Sequence, residues 1–477
     1  MTKDRSKRLI FCFDGTWNRL SANSPTNVVL VSQMVRPMAH DGTPQVVYYD
    51  EGIGTGRSWP VQMVQGALGH GMLKILREAY RFLIFNYEPG DEIFAFGFSR
   101  GAYTARSFIG FVRHAGILDA VSATQIEEAI RIYKEAPAGE TGMESLEGLQ
   151  FRAQHCTGIC VSEDERAYRA QIDPEFDPAS SPLLDVRYVG VWDTVRALGV
   201  PEFVPFSGWI NRKYGFHDAI LTSKIKAARH AVALDESRLS FRPTLFGRDK
   251  IEELNIKAAD EAGADFDRWS LPYQEQWFPG VHGAIGGGGA RRGLSDAAMQ
   301  WVLNGARRAG LDIRSESRGV AFNLCPDPFD DIYNDKPGLL KRAQAAFHRL
   351  FRVSRQGPIA GLEISLTTFQ RWTGMPGDAK PYRPLSLRQA ESQLANWDYR
   401  EPVQFKGTDT MALFEEYQID RRDTLSHLAK DRLGDPQRWR ELFDINRDRL
   451  DDPSFLPIGL KIRLPKKAGS GPGASFP

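Results

Sequence analysis

Ile93-Phe94-Ala95-Phe96-Gly97-Phe98-Ser99-Arg100-Gly101-Ala102 is the stretch that decides the fold. An apolar run of strand length ends on a Gly-x-Ser-x-Gly pattern, and a helical segment, Ala102 to Val112, follows it. The five-residue pattern alone arises by chance in about one chain in five of this length, so its setting carries the weight. Strand, sharp turn and helix in that order make a nucleophile elbow. Gly97 and Gly101 let neighbouring backbone approach where a Cβ would clash, and the helix N-terminus behind Ser99 favours developing negative charge. The expectation is a serine nucleophile at the carboxyl edge of a mostly parallel sheet.

Outward from this stretch the same unit recurs. Arg8 to Phe13 is an apolar run ending in Asp14-Gly15-Thr16, and Gln45 to Tyr49 is a second strand candidate. Val28 to Met38 and Leu73 to Tyr87 have helical spacing, the latter stopped by Pro89-Gly90-Asp91. Val186 to Trp192 and Tyr273 to Phe278 read as further strands, and Ser295 or Asp296 is placed to cap a helix running to about Ala309. Strands alternating with helices predict an α/β fold with helices on both faces of the sheet. Two stretches break the pattern: 140–182, and 198–275 with its apolar run Val200 to Ile210, read as a packed loop or as a lid or acyl-binding wall.

A serine hydroxyl needs a base, and an α/β hydrolase supplies its acid and histidine later in the chain. Asp193 ends the strand Tyr188 to Trp192. His282 follows the last strand candidate and precedes the glycines Gly286 to Gly289. The order Ser99, Asp193, His282 is the required one. His230, in a segment of helical appearance, and His217 compete for the base, and Asp235 and Asp218 for the acid. An oxyanion hole needs two backbone N–H groups. Arg100 supplies one and the loop Gly15-Thr16 is the candidate for the other, with Asp14 as the residue that holds this loop.

Composition sets the outer limits. The 477 residues are 42% hydrophobic and 25% charged, with a formal net charge of +1, which is the balance of a globular chain without an electrostatic pull toward nucleic acid. No run approaches the ~18 apolar residues of a transmembrane helix, and none resembles a signal-peptide core. The expected location is the cytoplasm of the producing cell, with export without a signal peptide left open. Four cysteines form no disulfide framework, and Cys156 and Cys160 beside His155 make a weak metal motif, so neither metal nor cofactor is expected. Two other readings fail on particular residues, and a third, a silent scaffold docked through its C-terminal part, stays as an alternative. Phe11-Cys12-Phe13-Asp14-Gly15-Thr16 resembles the loop of haloacid-dehalogenase-type phosphatases, but Cys12 stands where the nucleophilic aspartate must be. Gly52-Ile53-Gly54-Thr55-Gly56 lacks the dinucleotide-loop spacing. A silent binding or scaffold protein would have no need of the ordered Ser, Asp and His.

Seven motifs carry a resemblance. They are Cys12 to Asn18, Tyr48 to Gly54, Pro89 to Phe94, Gly97 to Arg106, Gly190 to Val195, Arg229 to Asp235 and Trp277 to His282. Together they resemble the DUF2235 family, an α/β-hydrolase group that includes the Tle1-like phospholipase effectors of the type VI secretion system. The resemblance covers about residues 8–310, within a hydrolase region taken as 1–385. It implies the roles given above to Ser99, Asp193 and His282, and a lipid or phospholipid ester as substrate, with other esters or amides as the alternative.

Beyond a linker at 386–415, residues 416–465 form a separate pattern of strand, helix, helix and strand. Its apolar positions are Leu425, Leu428, Trp439, Leu442, Ile458 and Leu460. It resembles a LysM domain, which implies binding to N-acetylglucosamine glycans such as peptidoglycan, or docking to a secretion-apparatus partner. Arg422 replaces the usual glycine of its first turn. The tail 466–477, rich in Lys, Gly, Ser and Pro, is expected to be disordered.

Overall fold

Six short apolar segments pair into one sheet, each strand running the same way: β1 (Arg8–Phe13), β2 (Gln45–Asp50), β3 (Glu92–Phe98), β4 (Asp185–Trp192), β5 (Ile225–Ala233) and β6 (Tyr273–Phe278), in the spatial order β2-β1-β3-β4-β5-β6. The computed structural model describes residues 6–15, 24–52, 67–135, 145–195, 220–263, 271–314, 316–317, 320–322, 324–334, 354–374, 381–395, 414–421, 423–433, 436–444, 446, 450, 456 and 458–465.

Side chains alternate across β1, so the strand feeds two cores. Ile10 and Cys12 join Phe94, Phe96, Tyr188 and Trp192 on one face, under helices α1 (Asn27–Met34) and α9 (Gly293–Arg308). Phe11 and Phe13 point the other way, and Phe11 meets Phe82 of α2 (Ala67–Asn86) and Phe108 of α3 (Arg100–Ala115). Both faces are therefore covered, as a parallel sheet requires. The helix α9 starts two residues before the expected cap: Arg292 occupies the cap position, and Asp296 in the first turn pairs with it at 2.6 Å.

The chain goes from β1 to β2, then crosses back to place β3 on β1's other side. That reversal leaves a crevice at the carboxyl ends of β1 and β3, the usual position of a site in such sheets.

The stretch 140–182 is partly helical. Between α3 and β4 come α4 (Ile126–Glu135), α5 (Leu146–His155) and α6 (Glu163–Ile172), and α7 (Arg248–Ala262) follows β5. α5 and α6 are joined by a buried ion set in which Glu165 accepts from Arg152 Nε at 2.9 Å and from Arg169. The apolar run Val200 to Ile210 lies outside the described residues.

Residues 386 to 395, expected as the start of a linker, are packed in part. Leu387, Ala390 and Leu394 are buried against Val232, Leu234, Trp277 and Ile364, and Trp277 forms a parallel bridge with Ile364. The unit that holds the sheet therefore includes this segment, which covers the apolar edge around β6.

A second unit contains the C-terminal residues. Antiparallel strands Phe414–Gln418 and Lys461–Pro465 enclose helices Leu425–Leu433 and Trp439–Asp444, in the expected order of strand, helix, helix and strand. Ile419, Leu425, Leu428, Leu442, Leu450, Ile462 and Leu464 form its core, with Trp439 and Leu460 packed at its margin. Ile458, expected inside, is 67% exposed in the turn before the last strand.

Candidate active site

The loops that leave β1, β3, β4 and β6 bring the site together. At the end of β3 the backbone of Ser99 adopts φ 60°, ψ −123°, a conformation disfavoured for any residue with a Cβ. Strand ladders fix this strained turn: Ser99 N–H donates to Trp192 O at 3.0 Å, and Val195 N–H donates to Ser99 O at 3.3 Å. Helix α3 begins at once. A Cβ on Gly101 would lie 2.2 Å from Phe13 O, and one on Gly97 would lie 2.5 Å from Gly101 O, so both positions admit only glycine.

His282 opens the short helix α8 (His282–Gly286) after β6, and its backbone N–H donates to Glu236 at 3.3 Å. Its ring lies between Phe98 and Phe241, with centroids 4.6 and 4.7 Å away. Nε2 stands 2.7 Å from Ser99 Oγ and Nδ1 stands 2.5 Å from Asp193 Oδ2. Because carboxylate oxygen can only accept, Nδ1 carries the proton and Nε2 is free to accept from the serine. Ser99, His282 and Asp193 are all buried. The sequence-predicted residues thus meet in one hydrogen-bonded line.

Asp193 directly follows β4 with φ 39°, and its N–H is held by Ala231 O at 2.7 Å. Its carboxylate accepts from Ala233 N–H at 2.9 Å and from both Nη atoms of Arg355, at 2.6 and 2.9 Å. Burial pushes the Asp193 carboxyl up, but the Arg355 charge and the bonds from His282 outweigh it and hold the group well below the usual carboxylate range. Arg355 is itself buried and bonds the carbonyls of Ala233 at 2.7 Å and Phe241.

Asp14 is buried at the end of β1 and ties three elements. It accepts from Gly15 N–H at 2.7 Å, from the Thr26 hydroxyl at 2.6 Å and from the Tyr49 hydroxyl at 3.0 Å. Thr26 in turn caps α1 by accepting from Val29 N–H. The loop-holding part expected of Asp14 is present in these contacts. The Gly15 N–H, expected as an oxyanion donor, is engaged by the Asp14 carboxylate one residue away and is not free for that purpose. Thr16 lies outside the described residues.

With the geometry established, comparison with known proteins places the chain. The model of the type VI secretion phospholipase effector Tle1-like catalytic domain matches residues 7–305, more than half of the chain. The chain belongs to the Tle1-like phospholipase effector family. A curated relative, an uncharacterized protein of Saccharomyces cerevisiae, is 27% identical over 255 residues, covering 50% of this chain and 33% of that protein. Among solved structures, an uncharacterized protein from Pseudomonas aeruginosa aligns with TM-score 0.35 and 16% identity, over 73% of this chain and 51% of that one. The Tle1 effector bound to the VgrG spike of the type 6 secretion system aligns with TM-score 0.31 and 18% identity, over 59% of this chain and 51% of that one. The chain thus spans about a third of the yeast relative and about half of either solved chain.

Within this Tle1-like catalytic domain the competing residues have other partners. His230 lies on strand β5, not on a helix; its Nε2 accepts from Thr194 N–H at 3.1 Å and its Nδ1 meets Glu275 at 2.8 Å. Asp235 is occupied by Gly280 N–H and by the Tyr382 hydroxyl, at 2.6 and 2.7 Å. His217 and Asp218 lie outside the described residues. Cys156 and Cys160 are free buried thiols whose ionisation burial pushes upward, Cys160 to about 11, and no cluster of metal-ligating side chains occurs among the described residues. Arg355 is the residue that sequence reasoning missed. It lies 162 residues from Asp193 and outside the family match, and no local motif surrounds it.

Proposed function

We propose that the protein is a serine hydrolase that cleaves the carboxylic ester of a lipid, with phospholipids as the substrate class. The observation that carries this is the line from Ser99 Oγ to His282 Nε2 to Asp193, at 2.7 and 2.5 Å. In this reading Ser99 attacks the ester carbonyl while His282 takes its proton, and the oxyanion is met by the N–H of Arg100 and a second donor. His282 then returns the proton to the leaving alcohol. Water, activated by the same ring, releases the acyl group and regenerates Ser99.

Family membership supports the lipid preference, and so does the side chain of Arg100. This residue follows Ser99 directly, and its guanidinium meets no carboxylate among the described residues. Partial burial pushes its ionisation down to about 10, with no opposing charge among the described residues. A phosphate near the scissile ester would supply the missing anion. Phospholipid vesicles and a neutral short-chain ester, given to wild type and Arg100→Gln, test the reading. The variant should lose roughly 10- to 100-fold in kcat/KM on the phospholipid and little on the neutral ester. Equal losses on both would remove the phosphate argument. No acyl release from any lipid, with an active-site fluorophosphonate still bound at Ser99, would move the substrate to non-lipid esters. No labelling at all would favour the catalytically silent scaffold.

Export as a secretion effector is proposed on family membership. For the C-terminal unit we propose a targeting part, LysM-like in its order of elements, that holds peptidoglycan glycan or a secretion-apparatus partner. The full chain should sediment with insoluble peptidoglycan, while a chain stopped after Arg400 should stay in solution and keep its ester turnover. If the full chain also stays in solution, the glycan reading is lost. If the shortened chain loses turnover, the separability of the unit is lost.

A further inference from the structure

Asp193 answers to two side-chain donors, only one of which belongs to the reaction proposed above. His282 takes one carboxylate oxygen, and Arg355 spans both. A buried guanidinium laid in parallel on a carboxylate is a geometrically exacting contact, and this one is locked from behind by the carbonyls of Ala233 and Phe241. Phe241 also packs edge-on to the His282 ring, so the strut that holds the acid also touches the base. We propose that Arg355 is a positioning residue for the hydrolysis, one that aims Asp193 at His282 and tempers how strongly Asp193 draws a proton onto that ring.

Both effects follow from charge and geometry, and both rest on the reading of Ser99 and His282 as nucleophile and base. With Arg355 present, Asp193 and the guanidinium cancel, so protonating His282 leaves a buried net positive charge in the set. Without Arg355, the same protonation would neutralise a lone buried carboxylate. Arg355 therefore disfavours the imidazolium and lets His282 stay a base at lower pH. Among the described residues the other charged group at the ring is Glu236, which accepts the His282 backbone N–H and is itself paired with Arg238 at 2.7 Å; Phe98 and Phe241 cover the ring faces. Replacing Arg355 leaves the Glu236–Arg238 pair and Phe98 in place. A base must be neutral, so kcat/KM falls as pH drops through its pKa, and removing Arg355 should move that acidic limb upward.

The test uses full-length wild type, Arg355→Met and Arg355→Lys, with a soluble ester and with the rate of fluorophosphonate labelling, each across pH. Arg355→Met should lower kcat roughly 10- to 100-fold with KM little changed. Its acidic limb should move up by about one pH unit. Arg355→Lys keeps the charge and loses the two-pronged contact, so its limb should stay near wild type while kcat falls. A folded Arg355→Met with wild-type rate and limb overturns the proposal. So does a slow Arg355→Met whose limb has not moved, since that outcome describes a merely structural arginine. Should Arg355→Met not fold, a wild-type kcat in Arg355→Lys overturns the positioning claim by itself. If Ser99→Ala retains wild-type turnover, the underlying hydrolase reading fails instead, whatever the Arg355 variants do.

Discussion

Alanine at Ser99 is expected to lower kcat for ester hydrolysis by roughly 10⁴- to 10⁶-fold, leaving only what binding and the oxyanion donors supply. The expected size follows from the hydroxyl's place 2.7 Å from His282 Nε2, where no other described side chain offers an attacking atom to that nitrogen. His282→Ala should cost a similar factor, and the double variant little more, because nucleophile and base act as one unit. His230→Ala removes a ring committed to Thr194 and Glu275 and should leave the line from Ser99 to Asp193 in place. Steady-state turnover of a chromogenic ester decides the matter. A folded Ser99→Ala with more than a few per cent of wild-type rate would refute the nucleophile, and an inactive His230→Ala beside an active His282→Ala would refute the base.

The largest stability effect is expected at Glu165. This carboxylate is completely buried between Arg152 and Arg169, and it also accepts the N–H of Val161 at 2.9 Å. Glu165→Ala removes the carboxylate that two buried guanidinium groups share. The cost should be about 3–5 kcal/mol, since breaking one partner of a buried ion set exposes the full desolvation penalty of the rest. Thermal unfolding should show a clearly lower midpoint for Glu165→Ala and a smaller drop for Glu165→Gln, which keeps the acceptor oxygen. The set joins α5 and α6 beside α3, away from the loops around Ser99, so ester turnover well below the transition should remain. A midpoint equal to wild type would show that the helices hold together by other means.

The sheet was legible wherever a strand was both apolar and bounded by a turn. Arg8 to Phe13, Ile93 to Phe98 and Val186 to Trp192 satisfy both conditions, and all three lie in the centre of the sheet. β5 was not legible because Ile225 to Ala233 is rich in alanine and carries Lys226, Arg229 and His230, which suits a helix in isolation. Burial of His230 between Thr194 and Glu275 is a tertiary fact with no local signature. The candidate site was readable for a different reason. Each of Ser99, Asp193 and His282 stands just past a strand, and the parallel sheet collects such positions at one edge. Arg355 stands 162 residues from Asp193, and nothing in its local sequence points to that partner. Gly15 was misjudged because sequence order cannot tell whether an N–H faces a cleft or its own neighbour's carboxylate.

The Asp193 clamp also bears on how the molecule is born. Ser99 leaves the ribosome early, and Asp193 and His282 follow in order, but the guanidinium that pairs with Asp193 is made 162 residues after it. At the usual pace of synthesis that interval is roughly 10–30 s, during which a folding chain must hold an uncompensated carboxylate at the heart of its sheet or keep water there. The nascent chain therefore carries Ser99 for much of its synthesis in a sheet that is not yet sealed, and the stretch around Arg355 is its late-arriving keystone.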